Sequence, residues 1–300
     1  MLEVNGIILI VIIRGVKNSQ IEGNFVLGYI IGSLNTNYFI GLEDRNFSKI
    51  ADIIQSEKFD VVALQEIPNQ QFINNLINHR LPKWHGSYRR SGYGPGSHLG
   101  FGFLWNTRRL IECSGIEGVE THNIYGEMAR NPCVGRFIPS EESHGPFVEI
   151  RLINVHLLYG DGAIYNTQRQ NEFKMVTRKI YENISKDRSD SKNRAVYAFV
   201  LGDYNFSLII CQGIEAGFPP QTYYANTKIG EKTTLSDSKD EYISDFDHFG
   251  YNDERFIGTD VKTHRVDSVK KYLGNDFSLH RKEISNHVPI KLELNLNTRR

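Results

Sequence analysis

Four apolar runs in this chain each break off in polar residues, and this pattern limits the possible folds more than any other feature: VVALQE at Glu66, RLINVH at His156, AFVLGDYN at Asp203 and Asn205, and EISNH at His287. Consecutive apolar, β-rich residues describe strands buried on both faces, which belong inside a layered molecule. Such strands deliver their polar ends to one rim of a sheet, where a metal and a phosphate can be held between groups from distant parts of the chain.

The segments around these runs give the element order. Phe25 to Leu34 reads as a strand entering the polar loop Asn35-Thr36-Asn37. Phe47, Ile50, Ala51 and Ile54 keep the spacing of an amphipathic helix, with Asp44 or Asn46 as its cap. A second strand follows over Phe59 to Leu64, and Pro68-Asn69 opens a helix carrying Phe72, Ile73, Leu76 and Ile77. After the glycine-rich loop Ser91 to Gly100, shorter strands over Phe101 to Trp105, Val134 to Ile138 and Phe147 to Val155 suggest antiparallel pairing. A helix is expected from about Asn166 to Ile184, then a strand over Ala195 to Leu201. Gln212 to Tyr242 reads as the most irregular stretch, and Val288, Ile290, Leu292 and Leu294 alternate as a half-buried final strand. With no repeat or low-complexity linker, residues 25–300 read as one domain and residues 1–24 as an N-terminal extension or extra strand.

Charge and cysteine usage narrow the function classes. Thirty-five basic and 35 acidic residues cancel, so attraction to a polyanion must come from a local patch. Cys113, Cys133 and Cys211 lie far apart with no CxxC pair, which argues against structural zinc and a disulfide framework and fits a reducing, cytoplasmic compartment. The apolar run Ile7 to Ile13 is far shorter than the ~20 residues that cross a bilayer, so no membrane anchor is expected. Glu3 before this run and Arg14 and Lys17 after it do not suit a secretory leader, although secretion stays open as a second reading.

Each polar strand end has both a chemical and a structural reading. Glu66 suits Mg²⁺, which takes oxygen ligands and keeps several waters, yet many strands end in a surface glutamate. Asp203 and Asn205, two apart on an extended chain, point the same way and could reach one phosphate or an attacking water; an Asx turn after Gly202 explains them equally well. His156 and His287 could exchange protons with water or a leaving oxygen, or be satisfied core residues. Asp247, in Ser244-Asp245-Phe246-Asp247-His248, could orient His287. Without a serine in a GxSxG setting, water is the expected attacker.

Taken together, Ser33-Leu34-Asn35, Leu64-Gln65-Glu66, Asn154-Val155-His156, Gly202-Asp203-Tyr204-Asn205, Phe246-Asp247-His248 and Ser285-Asn286-His287-Val288-Pro289 occur in an order that closely resembles the endonuclease/exonuclease/phosphatase superfamily, with the fold of pancreatic deoxyribonuclease. The resemblance covers roughly residues 25 to 296. It implies an α+β fold, a four-layered α/β/β/α sandwich of two mixed, mostly antiparallel sheets flanked by helices. It also implies a phosphoester hydrolase dependent on Mg²⁺, with Mn²⁺ as a substitute. Asn35 and Glu66 would hold the metal, with Asn286 as the weakest ligand. Asp203 and Asn205 would orient water and phosphate, His287 would pair with Asp247, and His156 would be a second imidazole near the scissile phosphate. Ala129-Arg130-Asn131-Pro132, followed by Val134 and Phe137, looks like the strand that brings an arginine, Arg130, to the phosphate, and Thr233-Thr234 fits the same branch.

Two positions depart from the pattern. Asn286 stands where the family usually has an aspartate, and Asn37 where several members carry an acid, which leaves Glu66 and Asp203 as the main negative charges and favours one metal ion over two. Arg89, Arg90, Arg108, Arg109, Arg130 and Arg136, with Tyr88 and Tyr93, cluster in sequence around loops expected to flank the site. The leading expectation is therefore a nuclease acting on DNA or RNA. A phosphomonoesterase or a lipid or inositol-phosphate phosphoesterase comes second, and a non-catalytic binding protein with a degenerate site third.

Overall fold

The computed structural model describes residues 25–38, 41, 43–91, 99–113, 117–118, 128–140, 148–187, 194–256 and 259–298. In chain order the strands are β1 (Phe25–Asn35), β2 (Val61–Ile67), β3 (Trp84–Arg90), β4 (Gly100–Asn106), β5 (Leu110–Glu112), β6 (Glu117–Gly118), β7 (Cys133–Pro139), β8 (Val148–His156), β9 (Ala195–Asp203), β10 (Asn226–Lys228), β11 (Thr234–Leu235), β12 (Tyr242–Ser244), β13 (Asp247–Tyr251), β14 (Thr259–Arg265) and β15 (Ile290–Thr298). The helices are α1 (Phe47–Ser56), α2 (Gln70–Asn78), α3 (Ala163–Lys174), α4 (Tyr181–Lys186), α5 (Leu208–Ala216), α6 (Ser268–Leu273) and α7 (Phe277–Glu283).

One sheet runs β14-β15-β1-β2-β4-β3 and the other β10-β13-β9-β8-β7-β5, with β6 also paired to β7. The pairs β1–β2 and β8–β9 are parallel and the rest antiparallel, so both sheets are mixed. The inner faces close on one another through Ile31, Ala63, Phe103, Phe137, Leu152, Phe199, Phe249 and Leu292. On the outer face of the first sheet, Ile50 and Ile54 of α1 and Phe72, Ile73 and Leu76 of α2 cover Val62, Leu64 and Leu104. Phe173, Val176 and Ile180 cover Ile153, Val155, Ala198 and Val200 of the second. The four-layered sandwich expected from the sequence is thus present.

Local chemistry sets the boundaries. The Asn46 side chain caps α1 by accepting from Lys49 N, and Asn69 caps α2 by accepting from Phe72 N. The helix expected over Asn166 to Ile184 runs from Ala163 to Lys186 with a π turn over Met175–Ile180. There Ala225 N donates to Thr177 O at 2.8 Å, which fits a carbonyl turned away from the regular ladder. Two readings are corrected and one unread strand is added. The stretch from Gln212, read as irregular, begins inside helix α5, whose LIICQGIEA lacks a clear polar face. Val288 does not join the last strand: Pro289 intervenes, and Val288 N donates to Thr233 O instead. WHGSYRR forms edge strand β3, whose polar character hid it. Residues 1–24, and with them the Ile7 to Ile13 run, lie outside the described residues. Among the described residues no helix is long and apolar enough to cross a membrane.

Candidate active site

The C-terminal ends of β1, β2, β8 and β9 and the start of β13 meet at one rim between the sheets. Register brings them there: Asn35 lies beside Gln65, His156 beside Asp203, and Asp203 opposite Asp247. Asn154 joins the sheets from within, donating to Leu64 O at 3.0 Å and accepting from Gln65 Nε2 at 2.7 Å. Gln65 also donates to Ser33 Oγ at 3.0 Å. Both amides are fully buried, so these bonds satisfy groups that would otherwise be costly in the core and fix the relative height of the two sheets.

Glu66 is delivered by a bulge: pairing with β4 shifts between Leu64 and Ile67, and Glu66 has φ 57°. Its Oε1 accepts from Asn35 Nδ2 at 3.1 Å and its Oε2 from Tyr38 N at 2.8 Å. The same Asn35 amide donates to Asp203 Oδ2 at 3.0 Å, so one neutral donor is shared by two carboxylates. Asn35 Oδ1 accepts from Asn37 N, with Asn37 at φ 53°. Asp203 Oδ1 accepts from Asn205 N at 2.8 Å, the Asx geometry that GDYN suggested, and Asn205, at φ 50°, uses Nδ2 to bond Leu157 O.

The two histidines occupy different electrostatic settings. His287 Nδ1 donates to Asp247 Oδ2 at 2.7 Å, and Thr233 Oγ1 donates to the same oxygen at 2.6 Å. His287 Nε2 faces Asp203 Oδ2 at 3.8 Å. Burial alone would favour the neutral ring, but Asp247, with Asp203 and Glu66 beyond, outweighs it and raises His287 to about 9. His156 Nε2 lies 3.6 Å from Glu66 Oε1 and 3.7 Å from Asp203 Oδ2, while its Nδ1 has no hydrogen-bond partner among the described residues. Burial, reinforced by Arg130, depresses His156 to about 3 and keeps it neutral. Burial, with Asp247 adding to it against the pull of His287, lifts Asp203 to about 6. For Glu66, burial is opposed by the bonds from Tyr38 N and Asn35 and by the charge of His287, and its carboxyl sits below the usual range.

The remaining candidates fall into place unevenly. Arg130 Nη1 donates to His156 O and Leu157 O at 3.3 and 3.2 Å, beside the site. Half-buried Asn286 is adjacent to His287, and its carbonyl accepts from Leu235 N. Arg89 and Arg90 end β3 near the rim, since Arg90 pairs with Gly100 and Ile67 with the same residue. Arg108, Arg109 and Arg136 do not flank the site. Arg109 binds Asp60, six residues and ~20 Å of strand below Glu66, and Arg108 shares its turn. Arg136 binds buried Glu149, opposite the middle of β8. Tyr93 lies outside the described residues. Not read from sequence were Glu172, which accepts from Ala129 N and Leu158 N, and Arg169, which donates to Asn205 O and Gly160 O. Their only signal was a charged residue on the face of α3 that Phe173 shares.

Oxygen donors on a partly exposed rim suit a hard cation. The Glu66 side chain is 15% exposed and already held at both oxygens. Among the described residues no three His, Cys, Asp or Glu side chains form a closed cage, and Mg²⁺, which is held by one or two carboxylates and several waters, does not require one.

Carboxylates, two imidazoles and an arginine around a strand rim, with no serine or cysteine nucleophile among them, describe a hydrolase of phosphoester type. The chain matches the Endonuclease/Exonuclease/phosphatase family over residues 32–227 and belongs to that family, whose members are metal-dependent phosphoesterases. No curated protein sequence matches it. Among solved structures, it is similar to D. rerio TDP2 complexed with a single-strand DNA product, at 15% identity and TM-score 0.60, covering 89% of this chain and 99% of that one. It is similar to an endonuclease/exonuclease/phosphatase family protein from Bacteroides thetaiotaomicron, at 15% identity and TM-score 0.58, covering 91% and 100%. ANGEL2, a 2′,3′-cyclic phosphatase in complex with adenosine-2′,3′-vanadate, aligns at 13% identity and TM-score 0.60, covering 91% and 97%.

Proposed function

We propose that the protein is a Mg²⁺-dependent phosphodiester hydrolase acting on nucleic acid, DNA or RNA, by attack of water. The observation that carries this reading is the Asp203 carboxyl, set between the imidazolium of His287 at 3.8 Å and the neutral imidazole of His156 at 3.7 Å, and joined to Glu66 through Asn35. Glu66, with Asn35 and more weakly Asn286, would hold the ion, which when bound supplies Lewis-acid stabilisation of charge on the phosphoryl oxygens. Asp203, near 6, is ionised at neutral pH and is the base that orients and deprotonates water. His287, kept cationic by Asp247, donates toward the phosphoryl oxygen that gains charge. The leaving oxygen takes its proton from that imidazolium as the P–O bond breaks, and neutral His156 is placed to hydrogen-bond a phosphoryl oxygen. Asn205 and Arg130 orient the phosphate.

Arg89, Arg90 and Arg130 at the rim favour a nucleic-acid chain, and the DNA-bound neighbour supports the same choice. The test is a panel of supercoiled DNA, single-stranded DNA, RNA, inositol phosphates and sphingomyelin with Mg²⁺ and with EDTA. Metal-dependent cleavage of DNA or RNA is expected. Cleavage confined to the small phosphoesters or the lipid would refute the substrate, and turnover unaffected by EDTA would refute the metal.

A further inference from the structure

We propose that Arg45 is a positioning residue that locks the metal side of the site against its histidine side. Arg45 precedes α1, is 6% exposed and has no assigned role in the chemistry. Its Nη1 donates to Thr36 O at 2.5 Å and to Ile284 O at 2.7 Å, and its Nη2 donates to Asn37 O at 2.8 Å. Thr36 and Asn37 directly follow Asn35. Ile284 directly precedes Ser285-Asn286-His287. One guanidinium therefore grips both segments that converge on the rim, and its position is fixed from the core side by the Phe72 ring, 5.0 Å away.

Neighbouring bonds run in the same direction. Asn46 N donates to Glu283 O, and Asn46 Nδ2 donates to Glu283 Oε2. Ser285 Oγ donates to Asn35 O at 2.6 Å while accepting from His287 N at 3.0 Å. The grip matters because Asn37 occupies the left-handed region, which costs ~1 kcal/mol and persists only where the surroundings hold it. That conformation aims Tyr38 N at Glu66 Oε2. A planar fork can address three carbonyls at once, whereas a lysine ammonium on a flexible stem cannot hold the same geometry. Loss of Arg45 would free the Asn37 turn, and with it the orientation of Glu66 relative to His287.

The inference rests on reading the site as a metal-dependent phosphoesterase, so its test keeps the two apart. Mn²⁺ binding is followed by electron paramagnetic resonance of the free ion, alongside steady-state hydrolysis of bis(4-nitrophenyl) phosphate, in wild type, Arg45→Ala, Arg45→Lys and Arg151→Ala. Arg151 is the control: it is at least as deeply buried and is bonded to Glu149, but it sits near the middle of β8, five residues from His156. Arg45→Ala is expected to weaken Mn²⁺ binding by ~10 to 100-fold and to lower kcat more than it raises KM, the scale seen for residues that orient metal ligands. Arg45→Lys should keep the charge without restoring affinity, and it carries the test if the alanine variant does not fold. Arg151→Ala should melt earlier with its Mn²⁺ affinity unchanged. Wild-type affinity and turnover in both Arg45 variants, or an equal loss in Arg151→Ala, would overturn the positioning role. A wild-type chain that neither binds Mn²⁺ nor hydrolyses the diester would overturn the functional reading itself.

Discussion

At the scale of the residue, one hydrogen bond decides how two carboxylates coexist: Asn35 Nδ2 stands between Glu66 and Asp203, so neither meets the other without a donor. Asp203→Asn should preserve the fold, because an amide oxygen can still accept from Asn205 N, while removing the base and lowering kcat by ~10² to 10⁴. Unchanged circular dichroism with that loss is the expected pair of results; full activity would exclude Asp203 as the base. A second residue bears on stability. His280 is buried, its Nδ1 donating to Ser285 O and its Nε2 accepting from Ser268 Oγ, and burial depresses it to about 4. Its folded value lies below the ordinary 6.5, so the unfolded chain binds the extra proton first. Stability is then complete above about pH 6.5 and declines as pH falls toward 4, by up to ~3 kcal/mol from this residue. Urea melts at pH 7.5 and 5 should differ less in His280→Asn than in wild type; an equal difference would refute the assignment. Neutral His156 adds to the same trend in both proteins.

At the scale of the element, the parallel pair β8–β9 holds the site because a glycine lets the strands close on each other. Gly202 has φ 139°, and a Cβ there would lie 2.1 Å from Val155 O. Gly202→Ala should therefore lower stability by several kcal/mol, seen as a large drop in the urea midpoint, and displace Asp203. A variant with wild-type stability would show that the strands can separate freely. What the sequence disclosed follows the same physics. Strands buried on both faces and side-chain caps such as Asn46 and Asn69 depend on local pattern, so β2, β8, β9, α1 and α2 were legible. β3 was hidden because an edge strand needs few apolar residues, and α5 because LIICQGIEA has no clean polar face to mark its period. In the site, polar groups at the ends of apolar runs stood out. Arg45, Arg169 and Glu172 did not, since they act on backbone groups of segments brought near only by folding. The same reason placed Arg109 and Arg136 wrongly: proximity in sequence to a loop said nothing about which end of the sheet they occupy.

At the scale of the whole molecule, two sheets packed face to face bring together groups as distant as Asn35 and Ser285, and the charge total of zero leaves attraction of a polyanion to local patches, of which the rim is the one beside the site. With Arg130, Arg89 and Arg90 as the rim cations, binding of a single strand should depend weakly on salt. About three phosphates at ~0.7 each predict a slope near −2 in log affinity against log salt. A slope of about −5 or steeper would require a basic surface that this account does not contain. The central claim is that ends of separate strands form one catalytic unit, and turnover of bis(4-nitrophenyl) phosphate by Glu66→Gln, His287→Ala and the double variant tests it most directly. Groups acting as a unit lose activity together. Each single variant should fall by ~10² or more, and the double variant should fall little below the worse single one. Losses that multiply, or a single variant with wild-type turnover, would contradict the claim that Glu66 and His287 serve one reaction.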